Sequence, residues 1–278
     1  MSRASFVGIV NLTRDSFSDG GQFLEANAAI AHGERLREDG ADWLDLGAES
    51  SNPEGAGVPV DEQIMRLSPV IRHFVGAGVP VSVDTPRAAV MRAAIDLGAT
   101  MVNDITALSD PAAVALLAAV DDVKVVLMHA RAGSDGRAAK KVEPHREIAR
   151  AVGDFFVERV DVLEKAGIAR GRLLLDPGMG FFLGANPEPS LAMLQDLRTL
   201  VTDVRLACPI YVSCSRKSFI GAVLGGRPPA ERAFGTVAAE LVALEAGATF
   251  VRTHDVRAIK DAWAVWRAIR DLDAPGKT

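Results

Sequence analysis

Short β-branched runs alternate with amphipathic stretches along the whole chain, and every run stops at a polar residue. The runs are SFVGIVNL stopping at Asn11, WLDLGAES at Glu49, VPVSVDT at Asp84, TMVNDI at Asn103, VKVVLMH at His129, RLLLDPG at Asp176, PIYVSCSRK at Lys217 and TFVRTHD at His254. Strand, polar stop and helix in eight successive units is the sequence form of a (β/α)8 TIM barrel, an α/β fold whose post-strand loops gather at one face and carry the chemistry. The expectation is one barrel domain over residues 1–278, with the eight stops as candidate site residues.

The helical stretches keep the same rhythm. Residues 86–97 start with Pro86 in a first turn, where proline is tolerated, and space their apolar positions on one face. Residues 230–247 do likewise and end at Gly247, a candidate left-handed cap. Gly-Ala recurs before the second, fourth and eighth strands, at Gly40, Gly98 and Gly247, so one αβ turn is rebuilt three times. The one long polar stretch without periodicity is residues 131–147, read as a mobile loop on the catalytic face.

Composition narrows the function classes. With 49% hydrophobic and 24% charged residues there is material for a buried barrel and a ring of helices. A formal charge of −5 without clustered Lys and Arg argues against a nucleic-acid surface, though not against a small anion held locally. Cys208 and Cys214 flank the seventh strand too far apart along it for a disulfide, which fits a reducing cytoplasm. No leader-like segment precedes the first strand, and no apolar run approaches the roughly 18 residues of a membrane span.

The stops divide by chemistry. Asn11 offers an amide oxygen suited to a hard cation such as Mg²⁺ that is held mainly by a substrate phosphate. Asp15, Ser16, Ser18, Asp19, Gly20 and Gly21 beyond it read equally as ordinary turn formers. Asp84, Asn103, Asp104 and Asp176 are each open to a role as a helix cap, but together they line a barrel mouth with acceptors and amides that suits a heterocycle rich in N–H groups. Lys217 is open to Schiff-base, phosphate-binding or solvated roles, and its place beyond the strand beside Arg216 favours hydrogen bonding and charge. Ser218 opens the next helix, where free backbone N–H groups favour an anion. Arg252 and His254 lie two apart on the last strand, side by side for a phosphate, with ion pairing and capping as the plain alternative. His32, His73 and His145 show no metal-binding spacing.

The strings GIVNLTRDSFSDGG, DLGAESSNP, SVDT, VNDI, LMH, LLLDPGMGF, SRKSFIG and VRTHD, in this order, resemble the successive signatures of the dihydropteroate synthases over residues 6–256. The resemblance implies condensation of 6-hydroxymethyl-7,8-dihydropterin diphosphate with para-aminobenzoate and release of diphosphate in folate biosynthesis. It assigns the pterin to Asp84, Asn103, Met128, Asp176 and Lys217, the diphosphate with Mg²⁺ to Asn11, Arg252 and His254, and the aminobenzoate to Ser51, Pro53, Phe181, Phe182 and Ser218. Of these, Asp84, Asp176, Lys217, Arg252 and His254 are the implied catalytic set. Two departures stand out. Ser51-Asn52-Pro53 lacks an arginine of the usual S-T-R-P, and Met179-Gly180-Phe181-Phe182-Leu183 replaces a glycine by Phe182 and a lysine by Leu183 in the usual D-P-G-F-G-F-G-K. The MGFFL segment is similar to that of the mobile sulfonamide-resistance synthases, which implies a reshaped aminobenzoate pocket. Methyltetrahydrofolate-dependent methyltransferases share a pterin-binding barrel but need no diphosphate site, and a non-catalytic pterin-binding paralogue is the third reading. Members commonly form homodimers through barrel helices; Trp263 and Trp266 lie three apart on the last helix, where packing on the barrel is the simpler role.

Overall fold

The computed structural model describes residues 4–12, 21–49, 57–130 and 147–272. Asp15 to Gly20, Ser51, Asn52, Pro53, His145 and the polar stretch 131–146 lie outside these residues. In chain order the elements are β1 (Ser5–Asn11), α1 (Gly21–Glu38), β2 (Trp43–Gly47), α2 (Val60–Gly76), β3 (Val81–Asp84), α3 (Ala88–Asp96), β4 (Met101–Asp104), α4 (Pro111–Ala118), β5 (Lys124–Met128), α5 (Ile148–Lys165), β6 (Leu173–Asp176), α6 (Glu188–Gln195), α7 (Leu197–Val201), β7 (Tyr211–Val212), α8 (Ser218–Val223), α9 (Ala233–Ala246), β8 (Phe250–Thr253) and α10 (Val256–Asp271).

The eight strands form one parallel sheet in the order β6-β5-β4-β3-β2-β1-β8-β7. Its two ends meet through a parallel bridge between Leu175 and Ile210, supported by Leu175 N–H donating to Pro209 O at 2.9 Å. That contact closes the expected (β/α)8 barrel. The seventh strand is shorter than its apolar run suggests, because Ser213 and Cys214 already lead into the loop.

Side-chain alternation assigns the inside and the outside of the barrel. Val7, Met101, Val126, Leu174 and Tyr211 come from five different strands yet form one cluster, with Trp43 and Phe250 packed on it, a grouping that only the barrel interior permits. Their neighbours Val83, Val102, Val125, Leu175 and Val212 belong instead to the two outer clusters beneath the helices. Two residues further along the inward rows stand Asn103, Met128, Asp176 and Ser213. The interior is therefore an apolar plug capped by a polar floor at the strands' C-terminal ends. The turns repeat as expected, with Gly40, Gly98 and Gly247 at φ of 92°, 98° and 110°. Both cysteines are free. Trp263 is buried in the core, and its ring stacks on that of Trp266 at 4.7 Å.

One core residue opposes the rest. Glu240 on α9 is fully buried, and neither carboxyl oxygen has a partner at full hydrogen-bond geometry. Burial pushes its pKa from 4.5 to about 8, with Thr253 giving only partial relief. The folded state thus holds a proton that the unfolded chain releases near 4.5, so stability is lost as pH rises from there to about 8. Glu240→Gln should raise the melting temperature by several degrees at pH 8 and leave it nearly unchanged at pH 4. Equal shifts at both pH values in a thermal melt would show that ionisation is not the cause.

Candidate active site

The polar floor is assembled by register. Asp84 on β3 is the Cα partner of Asn103 on β4, and Met128 on β5 is the partner of Asp176 on β6. All four end their strands or stand beside the end, and all face inward. Gly47 lies between the two strand ends: a Cβ there would make ordinary contacts, 3.7 Å from Asn11 Oδ1 and 3.6 Å from Asp84 Cβ.

Arg252 ties the floor together. Its Nε donates to Asp45 Oδ2 at 2.6 Å and its Nη2 donates to Asp84 Oδ2 at 3.0 Å. Asn103 Nδ2 also donates to Asp45 Oδ2, at 3.3 Å. Two carboxylates therefore share one cation, and Asp45 takes the shorter bond. Burial, with the Asp45 charge nearby, holds the Asp84 carboxyl well above the usual range despite Arg252. The same pair of acids holds the Arg252 guanidinium firmly charged.

Asp45 is the site residue that the sequence pattern concealed. It stands inside WLDLG between Leu44 and Leu46, is wholly buried, and leaves Oδ1 without a partner among the described residues. Its parity with Gly47 and a charge in an otherwise apolar run were the available signals.

Asp176 and Lys217 form the second charged pair. Gly178 N–H donates to Asp176 Oδ1 at 2.8 Å, which fixes the carboxyl plane. Gly178 has φ of 73°, and a Cβ there would come within 2.2 Å of His129 O, so only glycine closes this turn. Burial pushes Asp176 up to about 6, with Lys217 the largest opposing influence. Burial lowers Lys217, and Asp176 pulls it back. Lys217 caps α8, and its Nζ lies 5.1 Å from the centre of the Phe182 ring. The two adjacent aromatics thus separate: Phe182, the one that replaces a glycine, covers the lysine, while Phe181 is 55% exposed.

His254 follows β8 with its Nδ1 2.8 Å from Ser215 Oγ, and its own N–H donates to the same oxygen at 3.1 Å. Burial, then the Arg216 and Arg252 charges, pushes His254 down to about 3. The ring is therefore neutral at pH 7. In the tautomer in which Ser215 Oγ–H donates to Nδ1, the ring hydrogen sits on Nε2 and the imidazole remains a donor.

Other stops take structural roles. Asp104 accepts Thr106 N and Oγ1 at 2.7 Å each and Leu108 N at 3.0 Å, so it braces its own loop. His129 packs edge-on against Phe155 and Phe156. Glu49 Oε2 accepts Gln63 Nε2 at 3.0 Å. His32 lies near the mouth with Nε2 3.1 Å from Ile9 O, and burial lowers its pKa.

The donors suit a metal carried by substrate. Among the described residues no three His, Cys, Asp or Glu side chains converge into a metal cage. Asn11 is exposed at the mouth, so its amide oxygen is available to a hard cation whose remaining ligands are phosphate oxygens and water.

Comparison with known proteins gives a consistent picture. A family model described as pterin binding enzyme matches residues 7–254. The dihydropteroate synthase type-2 of Escherichia coli is 44% identical over 264 residues, covering 95% of each chain. The dihydropteroate synthase of Neisseria meningitidis serogroup B is 38% identical, covering 97% of this chain and 94% of that relative. The solved Xanthomonas albilineans dihydropteroate synthase with 4-aminobenzoic acid superposes with a TM-score of 0.87 at 43% identity, covering 96% of this chain and 93% of that one. A structure of the same Xanthomonas enzyme in complex with 7,8-dihydropteroate has a TM-score of 0.83 at 42% identity, covering 96% and 94%.

Proposed function

The chain belongs to the pterin binding enzyme family as a dihydropteroate synthase, and from that premise we propose a division of labour for its own residues. It joins 6-hydroxymethyl-7,8-dihydropterin diphosphate to para-aminobenzoate and releases diphosphate, the condensation step of folate biosynthesis. Asp84, Asn103 and Asp176 take the ring's N–H and NH2 donors, Lys217 takes a ring acceptor, and Met128 packs beside the ring. Arg252, the Nε2–H of His254 and Asn11 take the diphosphate. Ser218 and Phe181, with Ser51 and Pro53, take the aminobenzoate. The observation that supports this reading is the Arg252 bridge to Asp45 and Asp84, which joins the arginine assigned to the diphosphate with a carboxylate assigned to the ring.

The chemistry follows from where charge develops. As the carbon–oxygen bond to the diphosphate breaks, negative charge grows on the leaving group, facing Arg252 and the neutral His254 donor. Positive charge grows on the exocyclic carbon, facing Asp84 and Asp176. The arylamine nitrogen then bonds to that carbon and loses its proton afterwards, so no strong general base is required. Mg²⁺ entering with the substrate, and touching Asn11, would neutralise part of the diphosphate charge.

Measuring diphosphate release from the pterin diphosphate and para-aminobenzoate tests the reading. Methyl transfer from a methylated folate instead, or pterin binding without turnover, would support the methyltransferase or the non-catalytic alternative. We further propose that residues 1–278 act as one cytoplasmic domain; no helix among the described residues is long and apolar enough to cross a membrane. A homodimer is supported by exposed Leu191, Val223, Phe234 and Val242 around α6, α8 and α9, and a monomeric mass by light scattering would reject it.

Sulfonamide insensitivity rests on Phe182. Its ring lies over Lys217, the residue assigned to the pterin, and on this reading it narrows the space beyond the aminobenzoate's outline. Phe182→Gly should lower the sulfonamide inhibition constant by about tenfold or more while changing the aminobenzoate KM far less. An unchanged inhibition constant would sink this role.

A further inference from the structure

The loop after β4 carries two successive residues in a conformation that L-amino acids avoid. Ala107 has φ of 52° and Leu108 has φ of 58°. Such residues persist only where their surroundings over-determine them. Here the loop is gripped from both sides. On one side the buried Asp104 accepts three hydrogen bonds from Thr106 and Leu108. On the other, Arg159 of α5 donates from Nε to Ala107 O at 2.7 Å and from Nη2 to Leu108 O.

A guanidinium presents its donors in a fixed planar fork. Arg159 uses two of them on adjacent carbonyls, which the left-handed turns bring onto the same side. The Leu108 side chain is itself fully buried in the outer core, together with Met179 of the loop after β6. The residue just before this braced segment is Asn103, whose carbonyl accepts Thr85 N–H at 3.0 Å. Asn103 is thus pinned by the β3 turn on one side and by the gripped loop on the other. A similar device precedes Lys217: Arg216 has φ of 60°, its carbonyl accepts Arg232 Nη1 at 2.7 Å and its N–H donates to Thr236 Oγ1 at 3.0 Å.

We propose that Arg159 is a positioning residue for the pterin: by holding Ala107 and Leu108 left-handed, it fixes the backbone that carries Asn103, whose amide Asp45 holds at its far end. The inference rests on the reading of Asn103 as a ring contact. Without the fork the two residues relax toward right-handed backbone, and the chain leaving Asp104 rotates with them. Arg159 itself touches no substrate.

The test measures binding of unphosphorylated 6-hydroxymethyl-7,8-dihydropterin by calorimetry, with the aminobenzoate KM and melting temperature of the same variants. Arg159→Met should weaken pterin binding by about tenfold, as expected for a misplaced contact, while the aminobenzoate KM stays within about twofold. Ala107→Gly should bind like the parent, and adding it to Arg159→Met should recover part of the loss, because glycine adopts its half of the turn without the fork. If Arg159→Met does not fold, Arg159→Lys carries the test, since it keeps the charge and loses the fork. Unchanged pterin affinity in a folded Arg159 variant, or a loss that Ala107→Gly leaves untouched, overturns the proposal. Asn103→Ala separates the two levels: unchanged affinity there overturns the reading of Asn103 itself, whereas weakened affinity there beside an unaffected Arg159→Met overturns the clamp alone.

Discussion

Arg252→Met is expected to lower kcat/KM by roughly a hundred- to a thousandfold, because on the proposed assignment it removes a charged donor from the point where the leaving diphosphate gathers charge. The same change should also unsettle the fold. Asp45 is wholly buried and Asp84 nearly so, and both lose their shared cation. Removing one partner of a buried ion pair typically costs about 3–5 kcal/mol, since the remaining charge is stranded in a medium that solvates it poorly. The double variant Asp45→Asn/Arg252→Met should therefore regain much of the lost melting temperature while staying inactive. That split separates the two roles of the arginine. A single variant that keeps near-parental kcat/KM would remove Arg252 from the diphosphate site, and a double variant no more stable than the single would mean that Asp45 is not the stranded charge.

This pair also marks the limit of what the chain discloses before it folds. The barrel was legible because a strand whose two faces are both covered reads as an apolar run, and a helix on its outside reads as a one-faced stripe. The ends of those runs gave Asn11, Asp84, Asn103, Asp176 and His254, because inward parity and strand termination are both local properties. Asp45 was hidden by the same logic, since it stands mid-strand and its partner Arg252 is 207 residues away. Arg159 was hidden likewise, being a helix residue whose carbonyl partners lie about fifty positions earlier in the chain. Charge states were the other hidden quantity. Arg252 and His254 look alike as a pair of cations in VRTHD, yet two carboxylates keep the first charged while burial strips the second.

Element boundaries shifted for local reasons. The helix expected from Pro86 begins at Ala88, because Thr85 Oγ1 accepts Arg87 N–H at 3.2 Å and the chain stays extended through Arg87. The stretch 230–247 opens with a short 3-10 turn, Pro229–Glu231, and becomes α9 only at Ala233. Arg232 interrupts it, its side chain running back to the carbonyls of Arg216 and Arg227. A propensity reading has no access to that tether.

Asp176→Asn is the second large effect expected, and the structure fixes its direction. The Gly178 N–H needs an acceptor at Oδ1, so the amide must place its oxygen there and turn its NH2 toward the pocket. On the proposed assignment, the ring's N–H and NH2 groups then face a donor where the carboxylate offered an acceptor. Losing a charge-assisted pair and opposing two donors should weaken binding of unphosphorylated dihydropterin by about a hundredfold or more. Stability should move the other way. Asp176 is pushed up to about 6 by burial, so its ionised form disfavours the folded state as pH rises from the ordinary carboxylate range through that value. The neutral, equally sized amide removes this penalty and should melt no lower than the parent at pH 8. The parent's affinity for the dihydropterin should fall as pH drops through about 6 and below, as Asp176 takes up a proton, and the variant should lack that limb. Calorimetric titrations at pH 5, 6, 7 and 8 on both proteins decide the matter: near-parental binding by the variant, or an equally steep acid limb in it, would place the ring away from Asp176.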